Sequence, residues 1–306
     1  MLRSIRIQNY RGIAEGHVEN LGRVNLFVGP NGSGKSTVLE AVFLGASGRN
    51  PSFDFEQKPI IQLRHNEDQF PSPHCWYRRD RKRTLEMTYG FPDHSASLRI
   101  NDVGSHPLVS AAMSSYFPVM RFLDIRMLLS KALEWQSWDA LVQRRGDRML
   151  RRVMGDVYGL AIESFTYSPS EQVLLVLFSD RDYALRVDDL GAGMRIALRL
   201  FMSVLLCKDS AVLAEEFDGY QHIESFPRFV RTLSELSRVN NTQLFLATHS
   251  LEPIGAFVEE ATERPETDLR VYQTSLNPDG NFQAAGLTAE DAATLVAGGF
   301  DVRRSK

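Results

Sequence analysis

The stretch GPNGSGKS, Gly29 to Ser36, constrains this chain more than any other eight residues. It follows the apolar run RVNLFV and precedes TVLEAVF, in which Val38, Leu39, Val42 and Phe43 share one helical face. Strand, glycine-rich turn and helix in that order match G-x-x-x-x-G-K-S/T in the context the pattern requires. Gly29, Gly32 and Gly34 let the backbone turn its N–H groups inward, and the positive N-terminus of the helix faces the same space. Such a loop cradles phosphate. Lys35 would bridge terminal phosphates and Ser36 would ligate magnesium, with Pro30, Asn31, Ser33 and Thr37 completing the loop. An ordinary glycine-rich turn needs no Lys-Ser after its last glycine.

A second α/β stretch lies far along the chain. SAVLAEEFD and TQLFLATHS flank the helical run FPRFVRTLSELSRV, and strand, crossover helix and strand imply a parallel sheet. The first apolar run ends in two adjacent acids, Glu215 and Glu216. Beside a phosphate cradle, an acid ending a strand can hold a magnesium water shell, and the next carboxylate can orient or deprotonate an attacking water. Glu215 takes the first role here and Glu216 the second, with Glu215 one methylene longer than the usual aspartate. His249 ends the other strand at the carboxyl edge of the sheet, where open α/β folds bind ligands. A neutral imidazole there can contact the γ-phosphate or the water. Taken singly, each feature has a plainer reading, as solvated acids or a structural histidine. Their order along the chain favours a site for ATP and Mg2+.

The rest of the chain organises around these pieces. LRSIRIQNYRGI alternates apolar and polar residues and is followed by RVNLFVG, so two strands are expected at the N-terminus. Residues 1–49 and 186–306 are assigned to a core lobe, and 50–185 to an inserted β-rich and helical lobe that leads into a second glycine loop. Within the insert, DIRMLLSKALEWQSWDALVQRRGDRMLRRVMGDVYG has helical spacing broken at Gly146, and QVLLVLFSDRDYALRVDDL resembles a hairpin. With 43% hydrophobic and 24% charged residues, the chain can bury a sizeable core. Apolar runs such as QVLLVLF are too short to cross a bilayer, and the N-terminus lacks the apolar stretch of a secretory signal. Two distant cysteines, Cys75 and Cys207, define neither a metal site nor a disulfide framework. A soluble cytoplasmic protein without membrane contact is expected.

The combination resembles the ABC-type ATPase heads of the RecF, SMC and OLD group. The likeness rests on LRSIRIQNYRGIAEGHVENLGRVNLFVGPNGSGKSTVLEAVF at the front and on LGAGMR, LAEEFDGYQH and FLATHS at the back; it fades over roughly residues 50–180. The resemblance implies a P-loop NTPase fold with a mixed central sheet flanked by helices. It also implies ATP bound between two heads, each offering its cradle to the other's signature loop. DDLGAGMRIALRLF becomes the signature region, with the amides at Gly191 and Gly193 reaching the partner's γ-phosphate and Arg195 assisting. Relatives often carry serine where Gly191 stands. His222 matches the family, whereas Glu215, Tyr220 and Gln221 depart from it. Arg11 falls at a basic position often near the nucleotide. Gln57, Gln62 and Gln69 compete for the role of γ-phosphate sensor.

Partners follow from the same likeness and from local charge. The formal net charge of −3 excludes a general polycation, so nucleic-acid contact would fall to the runs RRDRKR, Arg78 to Arg83, and RRGDRMLRR, Arg144 to Arg152. The tail after His249 has no acid cluster of the kind a fused metal-dependent nuclease needs. The leading expectation is an ATP-hydrolysing head that forms a homodimer or higher oligomer on ATP. It would act on DNA maintenance or antiphage defence through a separate effector protein, with duplex DNA as a further ligand. The alternative is a weakly active ATP-dependent scaffold or switch. A transporter subunit would need a coupling helix between cradle and signature, and a small-molecule phosphotransferase fits poorly with a strand-ending histidine and a second glycine loop.

Overall fold

The computed structural model describes residues 1–46, 72–103, 106–111, 120–129 and 132–303. Gln57, Gln62 and Gln69 lie outside these residues. The N-terminal segment forms three strands where two were expected: β1 Ser4–Tyr10, β2 Ile13–Val18 and β3 Val24–Val28. The additional strand β2 turns back at Arg11 and Gly12 and pairs antiparallel with β1, Ile5 facing Val18 and Tyr10 facing Ile13. Its apolar positions are interrupted by Glu15, Gly16 and His17, which hid it from the pattern. The cradle leads from β3 into α1, Lys35–Ala46.

Strands β4 Leu85–Gly90, β5 Ser95–Val103 and β6 His106–Ala111 extend from β1 as an antiparallel arm. Strand β7, Met120–Leu123, joins the opposite end of the same sheet. Three helices follow: α2 Ile125–Leu129, α3 Ala132–Gln143 and α4 Gly146–Tyr158. The break anticipated at Gly146 falls just before it, where Arg145 adopts a left-handed φ of 57°. Strands β8 Ile162–Ser168, β9 Val173–Phe178 and β10 Leu185–Arg186 make a separate antiparallel sheet in the order β10-β9-β8. The expected hairpin is its β9–β10 pair.

The remaining elements are α5 Ala192–Leu206, β11 Ala211–Glu215, α6 Phe226–Val239, β12 Gln243–Thr248 and α7 Glu252–Glu263, followed by β13 Leu269–Leu276, β14 Asn281–Thr288 and α8 Ala289–Ala297. The main sheet has 11 strands in the order β6-β5-β4-β1-β2-β14-β13-β3-β12-β11-β7. From β13 to β7 all neighbours run parallel, and the other half is largely antiparallel. The sheet is thus mixed. In its parallel half every residue of β3 and β12 is buried, because helices cover both faces. Val24, Leu26 and Val28 of β3 join one core, with α3 to α7, while Phe27 joins the other, with α1. This explains why these strands read as continuous apolar runs.

Candidate functional site

Register brings the predicted residues together. Ala247 of β12 lies opposite both Glu215 of β11 and Phe27 of β3, and Thr248 lies opposite Val28. The three parallel strands therefore end level, and the chain leaves them as Gly29, Glu216 and His249 at one edge. A cavity of about 340 Å³ opens there, lined by Asn31 to Thr37, Glu215, Glu216 and His249, together with Gly12, Thr248 and Leu276. Cradle, paired acids and histidine, separated by up to two hundred residues in sequence, share this one space.

The cradle is built as its glycines require. Gly29, Gly32 and Gly34 have φ of 152°, 79° and 92°. At Gly34 a Cβ would also stand 2.7 Å from Phe282 Cδ2, so both angle and space exclude a side chain. Thr274 of β13 fixes the loop from below. Its hydroxyl donates to the Val28 carbonyl at 3.0 Å, so the Ser33 hydroxyl, 2.7 Å away, donates to Thr274. Lys35 Nζ donates to the carbonyls of Gly29 at 2.8 Å and Pro30 at 2.9 Å. Burial lowers the pKa of this amine, opposed by the charge of Glu215.

On the opposite wall, Glu216 holds a left-handed φ of 50° while its N–H donates to the Ala247 carbonyl at 3.1 Å. A non-glycine residue there carries strain of about 1–2 kcal/mol. Two residues on, Asp218 accepts a hydrogen bond from the Thr248 hydroxyl at 3.0 Å, and that oxygen accepts the Ser250 N–H at 3.0 Å. Burial raises the pKa of Asp218, against the pull of hydrogen bonds and of His249. Sequence reasoning passed over Asp218. Its signal was a third acid within AEEFD, on the loop that joins the two strand ends.

The donor chemistry fits magnesium. Ser36 and Glu215 bring two hard oxygen donors to one cavity, and magnesium typically takes one or two protein ligands and completes its shell with water and phosphate. Among the described residues no group of three or more His, Cys, Asp or Glu side chains forms an all-protein metal cage. Cys75 and Cys207 are buried thiols.

Gly191 and Gly193 lie apart from this cavity, at the start of α5. Gly191 caps the helix with φ −55° and ψ 145°. Gly193 is buried, and a Cβ there would collide with the backbone carbonyl of Tyr220. The Gly193 carbonyl accepts from Gln221 Nε2 at 2.8 Å and from the Tyr158 hydroxyl at 3.2 Å, which also lies 2.9 Å from Gln221 Oε1. The turn at Gly191 to Gly193 is thereby clamped to the loop that carries Glu216.

Arg11 lies beside the cradle helix. Its Nε pairs with Glu40 Oε2 at 2.8 Å, its side chain is 13% exposed, and only its neighbour Gly12 lines the cavity. Glu40 is buried on α1 and also accepts from the Tyr10 hydroxyl at 3.1 Å. A buried carboxylate needs such a counter-charge, so the arginine serves the underside of the cradle helix.

Comparison with known proteins places the arrangement. A family model described as "AAA domain, putative AbiEii toxin, Type IV TA system" matches residues 61–253, and one described as "AAA domain" matches residues 4–82. An uncharacterized protein of Methanocaldococcus jannaschii is 45% identical over 49 residues, 16% of this chain and 22% of that one. The DNA replication and repair protein RecF of Clostridioides difficile is 37% identical over 49 residues, again 16% of this chain but 13% of its own length. The chain thus spans under a quarter of either relative. Among solved structures, an SMC head bound to the C-winged helix domain of ScpA superposes with TM-score 0.59 at 12% identity, covering 96% of this chain and 99% of that one. The SMC head domain of Thermotoga maritima gives 0.52 at 14% identity, covering 94% and 98%. No helix among the described residues is long and apolar enough to cross a membrane. The chain belongs to the AAA-domain family whose model covers residues 61–253, and its fold is that of an ABC-type ATPase head of the RecF and SMC group.

Proposed function

We propose that the cavity binds ATP with magnesium and hydrolyses its terminal phosphate bond. The observation that carries this reading is the convergence of Lys35, Ser36, Glu215, Glu216 and His249 on one cavity at the common edge of β3, β11 and β12. Lys35 exchanges the carbonyls it now contacts for the terminal phosphates, since charge-assisted hydrogen bonds outweigh neutral ones. Ser36 and Glu215 would hold magnesium, which when bound neutralises charge on the β- and γ-phosphates. Glu216 accepts the proton of the attacking water, and His249 contacts that water or the γ-phosphate. The amides at Gly191 and Gly193 serve the partner's nucleotide in an ATP-dependent homodimer.

The division into a core lobe of 1–49 and 186–306 with an insert of 50–185 belongs to the same reading, although β4 to β7 of the insert share the main sheet. Three likenesses support an output on DNA or in defence, delivered through a separate effector protein. RecF is named for DNA replication and repair, the family description names a toxin, and the SMC head was solved with a bound protein. One observation favours the weaker alternative of an ATP-dependent switch. The Lys35 amine is engaged by the cradle's own carbonyls, which nucleotide must displace.

Sedimentation of the Glu216→Gln variant tests this. With ATP and magnesium its mass should double, while Lys35→Ala should stay at the mass seen without nucleotide. ATP binding that leaves the mass of Glu216→Gln unchanged would remove the dimer from the account.

A further inference from the structure

A second cavity, of about 630 Å³, lies along α4 and is lined by Arg145, Arg148, Arg151 and Arg152, with Ile162 at the start of β8 and Ser179 just after β9. All four arginines are exposed. None makes an ion pair among the described residues; the Arg152 guanidinium meets only the Met149 sulfur, at 3.1 Å. Asp156 is the single acid of the lining, so the pocket is strongly positive, and its concave shape concentrates that field. The other basic run differs. Arg83 pairs with Asp80 at 3.0 Å, Arg78 lies 5.2 Å from the ring centre of Tyr77, and Arg81 lies 6.0 Å from that of Trp76.

Spacing selects the ligand. Arg148 and Arg152 stand one turn apart on one face of α4, and Arg145 flanks them at its N-cap, over roughly 10 Å. Guanidinium forks bind phosphate and carboxylate alike. An extended acidic peptide, however, presents same-side carboxylates only every ~6.6 Å, too sparse to engage four forks in this length. Phosphates joined directly through shared oxygens stand closer than that, each bringing its own charge and acceptor oxygens to a fork, whereas along a nucleic-acid strand a whole sugar separates them. We infer that this pocket binds a free oligophosphate, a ligand carrying at least three directly linked phosphate groups.

The same helix ends in Tyr158, whose hydroxyl meets the Gly193 carbonyl and Gln221. Occupancy of the pocket is thereby transmitted to the signature turn. This second step rests on the proposed ATPase, whereas the binding step does not.

Binding is measured on the Lys35→Ala chain, which removes the cradle's principal phosphate contact. The probes are inorganic tripolyphosphate by calorimetry and a labelled oligothymidylate of about twelve nucleotides by anisotropy. Tripolyphosphate affinity should fall as salt rises, because the exposed arginines are screened. The double reversal Arg148→Glu, Arg152→Glu should weaken binding at least tenfold, and Arg79→Glu, Lys82→Glu less than twofold. Tripolyphosphate should bind in preference to the oligonucleotide; binding of the oligonucleotide alone overturns the inference in favour of a strand. No binding, binding indifferent to the α4 reversals, or full displacement by polyglutamate overturns the inference. In the chain with Lys35 restored, ligand-stimulated hydrolysis should disappear in Tyr158→Phe while binding persists. A chain with no hydrolysis at all would remove the coupling and leave the binding result standing.

Discussion

Gly193→Ala places a methyl group where the Tyr220 carbonyl oxygen stands. Backbone cannot swing aside as the end of a flexible side chain can, so the first turn of α5 and the loop carrying Glu216 must part. Overpacking of this kind costs about 1–3 kcal/mol. Parting also weakens the two hydrogen bonds into the Gly193 carbonyl, from Gln221 and Tyr158, each contributing about 0.5–1.5 kcal/mol. Alanine's better helix propensity returns at most about 1 kcal/mol. The net loss is about 1–5 kcal/mol. At Gly191 a Cβ would meet nothing nearer than Met194 Cε, at 3.5 Å, so Gly191→Ala should stay within about 0.5 kcal/mol of wild type. Urea unfolding followed by circular dichroism separates the two. With an m-value of about 3 kcal/mol/M, the Gly193→Ala midpoint should fall by roughly 0.3–1.7 M while that of Gly191→Ala holds. Equal midpoints for Gly193→Ala and wild type would show that this glycine serves only a ligand, and the clamp between signature turn and acid loop would be refuted.

Other consequences follow from single contacts. Gly34→Ala meets both a φ of 92° and Phe282 Cδ2 at 2.7 Å; it should weaken ATP binding at least tenfold by calorimetry, and affinity equal to wild type would contradict the cradle geometry. Asp218 has its pKa raised by burial. The stability it contributes is therefore fully present below the unfolded carboxylate pKa and lost as pH rises through the folded one. Asp218→Asn, which can still accept from Thr248, should be the more stable chain at pH 7 by urea midpoint, with the advantage shrinking toward pH 4. An advantage that grows on acidification would reverse that sign. Tyr158→Phe removes one of two donors to the Gly193 carbonyl and should cost about 0.5–1.5 kcal/mol, again read from the midpoint.

Much of the site was legible because its chemistry sits on regular elements. The cradle announces itself by glycines between a strand and a helix, and the acids and His249 each end an apolar run. Parallel pairing then needs only matched strand ends to bring them together, as Ala247 opposite Glu215 and Phe27 shows. What stayed hidden depends on packing. The apolar pattern of β2 is interrupted by Gly16, whose Cβ would press 2.7 Å from Phe282 Cβ, so this glycine reports contact with β14, late in the chain, rather than local preference. Nothing in NYRGI reveals the buried Glu40 with which Arg11 pairs. Gly193 looked like a phosphate-binding glycine, and its cis neighbour Tyr220 is visible only in three dimensions.

The account stands on Glu216 acting with Lys35 at one catalytic cavity. Phosphate release from ATP with magnesium, measured for wild type, Lys35→Ala and Glu216→Gln, tests this most directly. Loss of a general base typically costs about 10²–10⁴-fold, so Glu216→Gln should still bind ATP yet turn over at least a hundredfold slower, and Lys35→Ala should lose binding as well. Turnover of Glu216→Gln equal to wild type would contradict the account.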